Sequence, residues 1–391
     1  MVITVIGAGT IGSAVVHALH KHPDVSQIRV CDTRPGTLEA LQEAVSDHKI
    51  RTHEVDARNL SALRPLLHNA KVLVNCIASE MSPLLAQLAI EGGLHFCDLG
   101  GYVSSTQAVI QMHDQAEKSG VWLLPNCGLA PGLVNILMMD GIQQFDEVED
   151  CLLRVGTVPH HPNPPLNFAS FFSAEKLIEE YTEPASEIID GEYRTAEPLT
   201  GITTIEVGEP FGVMESFYAS GVLGETAPKL VGKVRNLNFK AIRYPNHASQ
   251  MSFMLALGFA EKRLVDVGTH LTYRDILARR IRQRLSGSPD DAVLLRVLIN
   301  GRVNGQDKAL LYEMTEIHND GDDMTAVKRC IGASVGILAA MLANGEVEGT
   351  GASTPEFVIP TKRFLEQLRM YGLEPRIRWF DKHLDINHLP A

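Results

Sequence analysis

The sequence predicts an α/β chain: a Rossmann-type parallel sheet domain with an inserted α+β substrate domain built on a largely antiparallel sheet. Three observations predict it. A glycine-rich turn stands between a β-branched run and a helix-period segment in "VITVIGAGTIGSAVVHALHKH". Short apolar runs then alternate with helical stretches as far as Gly128, the pattern of a sheet covered on both faces. Beyond Gly128 strand-like segments are separated by long, mostly non-helical connections, which suits antiparallel pairing. A length of 391 residues exceeds what one hydrophobic core usually fills. The expected division is 1–128 plus about 351–391 for the dinucleotide-binding domain, and 129–350 for a substrate, catalytic and oligomerisation domain.

In the opening turn, Gly7 permits the tight bend, Gly9 lets a pyrophosphate approach the backbone, and Gly12 lets helix and strand pack closely. With Thr10 and Ile11 these residues open a helix whose N-terminal N–H groups attract phosphate. The next strand, in "IRVCDTRPG", ends on Asp32, 20 residues after Gly12, where a carboxylate accepts ribose hydroxyls. Asp32 favours NAD; Arg34, two positions on, makes NADP the alternative. Further strands in "RTHEVDARN", "AKVLVNCIAS", "LHFCDLGGY" and "GVWLLPNCG" place Asp56 and Ala57 toward adenine, and Asn75, Cys76 and Ile77 toward nicotinamide, with Asp98, Tyr102 and Asn126 at neighbouring strand ends. Asn75 and Asn126 have a second reading as caps of helices or turns.

After the Gly/Pro turn of "GLAPGLVNILMMDGIQQF", strands are expected in "DCLLRVGTV", "GITTIEV", "GVMESFYAS", "KVRNLNFKAIRY", "AVLLRVLINGRV" and "ALLYEMTEIH". Helices are expected at 173–181, 246–258, 272–284 and 322–343, the last ending before Asn344-Gly345. "TPEFVIPTKRFLEQLRMYG" reads as a strand or loop followed by a helix that returns to the first domain.

A formal charge of −12 and the lack of any basic run argue against a nucleic-acid partner. The chain enters its first strand without a basic leader, and no run of 18 apolar residues follows, so a cytoplasmic protein without a membrane partner is expected. The six cysteines form no C-x-x-C pair and read as buried free thiols. His160 and His161 in "PHHPNPP" invite a metal reading, but adjacent side chains of an extended segment point opposite ways, so no metal is expected.

Several segments together resemble the saccharopine dehydrogenase family, and within it the lysine 6-dehydrogenase-like branch: "VIGAGTIG", "VDARN", "HFCDLGG", "PNCGLAPGLVNIL", "NPPLNFASFFSAEKLIEEYTEPASEIIDGE", "ESFYASG", "KAIRYPNH" and "PEFVIP". The resemblance spans nearly the whole chain and implies NAD(P)-dependent removal of a hydride from an amine-bearing carbon, with L-lysine oxidised at C6. An amino acid or polyamine-like substrate is implied. It also implies that the block around Glu179, Glu180 and Tyr181 closes the substrate site, presenting carboxylate and phenol groups to a cationic amine. The bland alternative is a solvated helix face begun by a Ser173 cap.

Such chemistry needs a proton acceptor near neutral pH, and His247 is the expected base, beside Arg243 and Tyr244. Arg243 is expected to clamp a substrate carboxylate. Asp98 and Tyr102 lie where nicotinamide is expected; Asp98 would hold the leaving amine or tune a neighbouring base, or only fix the "DLGGY" turn. Two rivals remain. A saccharopine or carboxynorspermidine type of reductase would draw on Arg194, Lys229, Lys233 and Arg235, while a regulatory protein would bind NAD without turnover. A homodimer or larger homo-oligomer is expected from an antiparallel sheet with one face free.

Overall fold

The computed structural model describes residues 1–390 except 170, 172, 286–289, 320, 322 and 323. They form two compact units, Met1–Met139 with Lys328–Glu374, and Asp140–Val327 with Pro375–Ala391.

The first unit is built on a seven-stranded parallel sheet of β1 (Val2–Ile6), β2 (Gln27–Asp32), β3 (Ile50–Glu54), β4 (Val72–Asn75), β5 (His95–Asp98), β6 (Trp122–Leu124) and β15 (Gly351–Ala352). Their order is β15-β6-β5-β4-β1-β2-β3. The order reverses at β1, which pairs with β2 on one side and β4 on the other, opening a crevice at the strands' carboxyl ends. The glycine turn crosses that crevice. Gly7 takes φ +99°, and a Cβ on Gly12 would lie 1.9 Å from the Gly7 carbonyl oxygen, so no other residue fits there.

The helix Ala326–Ala343 is long and apolar enough to cross a membrane by composition, yet 78% of it is buried inside the protein. It packs on the helix Thr10–Lys21 through small residues: a Cβ on Gly332 would meet the Ala14 carbonyl oxygen at 2.6 Å, and one on Gly336 the Ala18 Cβ at 2.9 Å. It is therefore a core helix.

The second unit carries a nine-stranded mixed sheet. Its main path is β10 (Thr203–Gly208), β11 (Gly212–Tyr218), β12 (Val234–Arg243), β7 (Glu147–Pro159), β13 (Asp291–Val303), β14 (Gln306–Ile317) and β16 (Arg376–Phe380). Only β12 and β7 run parallel along this path; the other pairs are antiparallel, as expected. A hairpin of β8 (Ala185–Ile189) and β9 (Glu192–Ala196) joins through β12. The expected helices occur as Ala174–Glu180, His247–Ala256 and Tyr273–Arg284; the fourth was expected from 322, which lies outside the described residues, and begins at Ala326.

The boundaries between units differ from the expected 1–128 and 351–391. The Gly/Pro turn after Cys127 does not leave the first unit, because the Ser334 hydroxyl donates to the carbonyls of Cys127 and Gly128, each at 2.9 Å. The C-terminal return also divides. β15 joins the parallel sheet and the helix Thr361–Met370 stays in that unit, whereas β16 pairs antiparallel with β14 in the second.

Candidate active site

In the first unit the glycine loop and two acid–arginine pairs line the carboxyl ends of β1, β2 and β3. Gly9 caps the helix Thr10–Lys21, no side chain caps it, and its first turn holds no acidic residue. That is an anion cradle with room for a pyrophosphate against backbone. A Cβ on Gly9 would fill the cradle, 3.4 Å from an Arg34 nitrogen. Asp32 accepts from the Ala8 N–H at 2.8 Å and from the Arg34 N–H at 2.9 Å, and its carboxylate also holds the Arg34 guanidinium at 3.2 Å. Burial works to raise its pKa, but the bonds from Arg34 and Ala8 outweigh that and hold the carboxyl below its ordinary range. Asp56, after β3, is paired in the same way with Arg58 at 3.1 Å, and Ala57 is buried beside it.

At the ends of β4, β5 and β6 the polar side chains bond to one another. The Asn75 amide donates to Ser82 Oγ at 2.9 Å and its carbonyl accepts the Ile77 N–H at 3.1 Å. Ser82 donates to one Asp98 oxygen at 2.6 Å, while the other accepts the N–H groups of Gly100 at 2.8 Å and Asn126 at 2.9 Å. The Asn126 carbonyl takes the Thr106 hydroxyl at 3.0 Å. Asp98 is thus the anchor of the turn that follows it. Burial raises its carboxyl pKa against those bonds, and the bonds from Gly100 and Asn126 suit the reading of Asp98 as a residue that fixes the turn. Tyr102 is half-buried at the N-cap of the helix Val103–Ile110. Cys76 is partly exposed, and burial pushes the thiols of Cys76 and Cys127 well up, so neither is a nucleophile.

In the second unit, three of the expected residues meet. The Tyr181 hydroxyl lies 3.1 Å from His247 Nε2 and accepts from Arg243 Nε at 3.2 Å. His247 Nδ1 lies 3.1 Å from the Leu166 carbonyl oxygen, an acceptor only, so Nδ1 carries the proton and Nε2 accepts from Tyr181. The Arg243 guanidinium also reaches the Ile242 carbonyl at 2.9 Å and Glu180 at 3.6 Å, and lies over the Phe168 ring. Its Nε and Nη1 thus donate within the protein, and Nη2 faces Glu180. Burial, helped by the charge of Arg243, pushes the His247 pKa down to about 3, so the ring is neutral at working pH and a poor proton acceptor. This counts against His247 as the base. Burial instead raises the Glu180 carboxyl, more than Arg243 and Lys176 lower it, and raises the Tyr181 phenol.

Glu215, on β11, was not singled out in the sequence. Its carboxylate accepts the N–H of Asn246 at 2.9 Å and of Ala248 at 2.7 Å, capping the helix that begins at His247. Asn246 takes φ +74° at that bend. Of the cations expected to serve extra carboxylates, Arg194 faces Glu192 and Arg235 faces Asp190 and Glu149, while Lys229 and Lys233 are exposed.

Comparison with known proteins adds the following. Residues 3–124 match the family model of the saccharopine dehydrogenase NADP binding domain, and residues 128–373 that of the saccharopine dehydrogenase C-terminal domain. Among curated proteins, carboxyaminopropylagmatine dehydrogenase of Synechocystis sp. is 23% identical over 207 residues, 51% of each chain. The bovine mitochondrial alpha-aminoadipic semialdehyde synthase is 19% identical over 290 residues, 70% of this chain and 30% of that one. The chain thus spans about half the length of the first of these relatives and under a third of the second. Among solved structures, saccharopine dehydrogenase (L-Glu forming) of Saccharomyces cerevisiae superposes with a TM-score of 0.79 over 97% of this chain and 99% of that one, at 13% identity. Homospermidine synthase of Legionella pneumophila in complex with NAD gives 0.68 over 98% and 92%, also at 13% identity.

Proposed function

The chain belongs to the saccharopine dehydrogenase family, and from that premise we propose that it is an NAD(P)-dependent oxidoreductase acting on the CH–NH2 group of an amino acid, with L-lysine oxidised at C6. The observation that carries this reading is the buried group of Tyr181, Arg243 and His247 in the second unit, with the partly buried Glu180 beside it. An amine is oxidised only as its free base, so the site must take a proton from the substrate ammonium. Glu180 is the acceptor we assign, because its carboxylate lies 3.6 Å from Arg243 beside the Tyr181 phenol and burial raises its pKa above the ordinary value. Tyr181, donating to His247 and accepting from Arg243, keeps a lone pair for the substrate's N–H. Arg243 and His247 hold that phenol in place.

Gly7, Gly9, Gly12 and the first turn of the following helix would hold the pyrophosphate of the dinucleotide, and Asp32 its ribose hydroxyls. When bound, the nicotinamide supplies the hydride acceptor. The ionised Asp32 favours NAD, since a 2′-phosphate would meet a carboxylate whose arginine neighbour is already paired with it.

The likeness to carboxyaminopropylagmatine dehydrogenase supports a second reading, a saccharopine or carboxynorspermidine type of reductase acting on a larger substrate. The pairing of Arg194 and Arg235 with acidic neighbours leaves fewer cations for extra carboxylates and favours the smaller substrate. A cytoplasmic setting is supported by the six free thiols, and a homodimer or larger homo-oligomer is the assembly we propose.

The test follows absorbance at 340 nm with NAD or NADP and lysine, ornithine, saccharopine or spermidine supplied singly. Lysine with NAD is expected to give the fastest rise. In wild type the rate should climb with pH through the Glu180 ionisation, above the ordinary carboxylate range, and Glu180→Gln should abolish that limb with at least a hundredfold loss of kcat, on the order of a general base's contribution. Turnover only with a larger amine would favour the second reading, and cofactor binding without turnover would refute an enzymatic role.

A further inference from the structure

We propose that His160, His161 and Asp290 form a binding site for one divalent metal ion of borderline softness, such as Zn2+, where β7 ends and β13 begins. The expectation that neighbouring histidines point apart fails here because the chain stops being extended. β7 ends at Pro159, and His160 and His161 lie in a bend with their rings stacked 4.6 Å apart at 19°. Both imidazoles therefore come to one side.

Asp290 reaches the same place from the other strand. Pro159 pairs with Asp291 at the end of the ladder, and the His160 N–H donates to the Asp290 carbonyl at 3.0 Å, so His160 and Asp290 face each other one step further on. His160 Nδ1 lies 3.2 Å from Asp290 Oδ1. Two donor atoms on a tetrahedral zinc ion, each bonded at about 2.0–2.2 Å, stand roughly 3.3–3.5 Å apart. That pair is spaced for one ion already. Donor atoms of all three residues lie within 4.8 Å of one another, and His161 is exposed, so closing the third position takes a rotation of one surface side chain.

The ground beneath the donors is fixed. The Tyr244 hydroxyl, on a buried side chain, donates to the carbonyls of Pro159 at 3.2 Å and His160 at 3.0 Å, and the Phe211 ring lies 5.8 Å from the His160 ring. Two imidazole nitrogens and a carboxylate oxygen suit zinc, nickel or cobalt rather than calcium or magnesium, which want oxygen alone. A bound ion would fasten β7 to β13. It would also steady Asp291, whose carboxylate caps the helix starting at Ala326 through the N–H groups of Ala326 at 2.6 Å and Val327 at 3.3 Å. Nothing in the hydride-transfer reading uses these residues.

The experiment is a Zn2+ titration by calorimetry on untagged, EDTA-dialysed full-length protein, repeated with His161→Ala and Asp290→Asn. Each variant's metal-free melting temperature is checked against wild type, and Co2+ absorption serves as a second readout. The proposal expects one Zn2+ per chain, a melting temperature raised by the ion and restored by EDTA, a Co2+ spectrum of tetrahedral intensity, and at least tenfold weaker binding in both variants. It is overturned by the lack of saturable binding, in which case His160 and Asp290 are only an ion pair. Binding of equal strength in wild type and both variants would overturn it too.

Discussion

His247 is fully buried, with one ring nitrogen on a carbonyl and the other on a phenol, and that setting decides its protonation. Its pKa in the folded chain, about 3, lies below the value near 6.5 expected when unfolded. The unfolded chain therefore binds a proton that the folded chain refuses. Stability tied to this residue is fully present above about pH 6.5 and is lost as pH falls toward 3, at up to about 1.4 kcal/mol per pH unit. In His247→Gln, whose amide can still accept from Tyr181 and donate to Leu166, melting temperature between pH 6.5 and 4 is expected to fall less steeply than in wild type; parallel curves would show that the ring does not titrate this way. That residues 181, 243 and 247 come together was expected in part: His247 and Arg243 were read from one short segment, and Tyr181 from the family resemblance. The protonation of Tyr181 and His247 was not, since it depends on burial and on the charge of Arg243. Asp98 shows the same limit: its place at a strand end was legible, while the three donors that occupy its oxygens come from residues 82, 100 and 126.

Among the elements, the helix His247–Ala256 depends on a carboxylate that no local pattern announces. Glu215 belongs to β11, yet it occupies the helix N-terminus, where a negative charge complements the macrodipole and accepts two N–H groups. Glu215→Ala should cost about 1–2 kcal/mol in denaturant unfolding, the scale of a lost cap, and should lower kcat by displacing His247 and so Tyr181. Unchanged stability and rate would show that the helix holds itself. The cap was not legible because donor and acceptor are about 30 residues apart in sequence. The β8–β9 hairpin, by contrast, carried a usable signal: Asp190-Gly191 takes φ +52° and +81°, the two left-handed positions of a tight hairpin turn, and Asp-Gly between β-prone runs marks such a turn. The parallel strands β1, β4 and β6 were the most legible part of the fold, since burial on both faces writes continuous apolar runs, whereas β3 (IRTHE), at the sheet edge, is fully buried only at Ile50.

At the scale of the whole molecule, the chain builds two units from interleaved segments and gives each a different task. The first carries a glycine cradle beside the Asp32 carboxylate, the second the buried, hydrogen-bonded group of Tyr181, Arg243 and His247. The handover points were read from the Gly/Pro turn at 128 and the start of the C-terminal segment. They lie instead at Met139, Lys328 and Glu374, because Ser334 ties the turn back to the first unit and the final strand finds its partner in the second. In the proposed reaction a hydride leaves C6 of lysine for the nicotinamide ring. The most direct measurement supplies lysine deuterated at C6 with NAD and weighs the reduced dinucleotide by mass spectrometry. The account predicts NADH heavier by one mass unit and a slowed turnover; NADH formed without the label would contradict it.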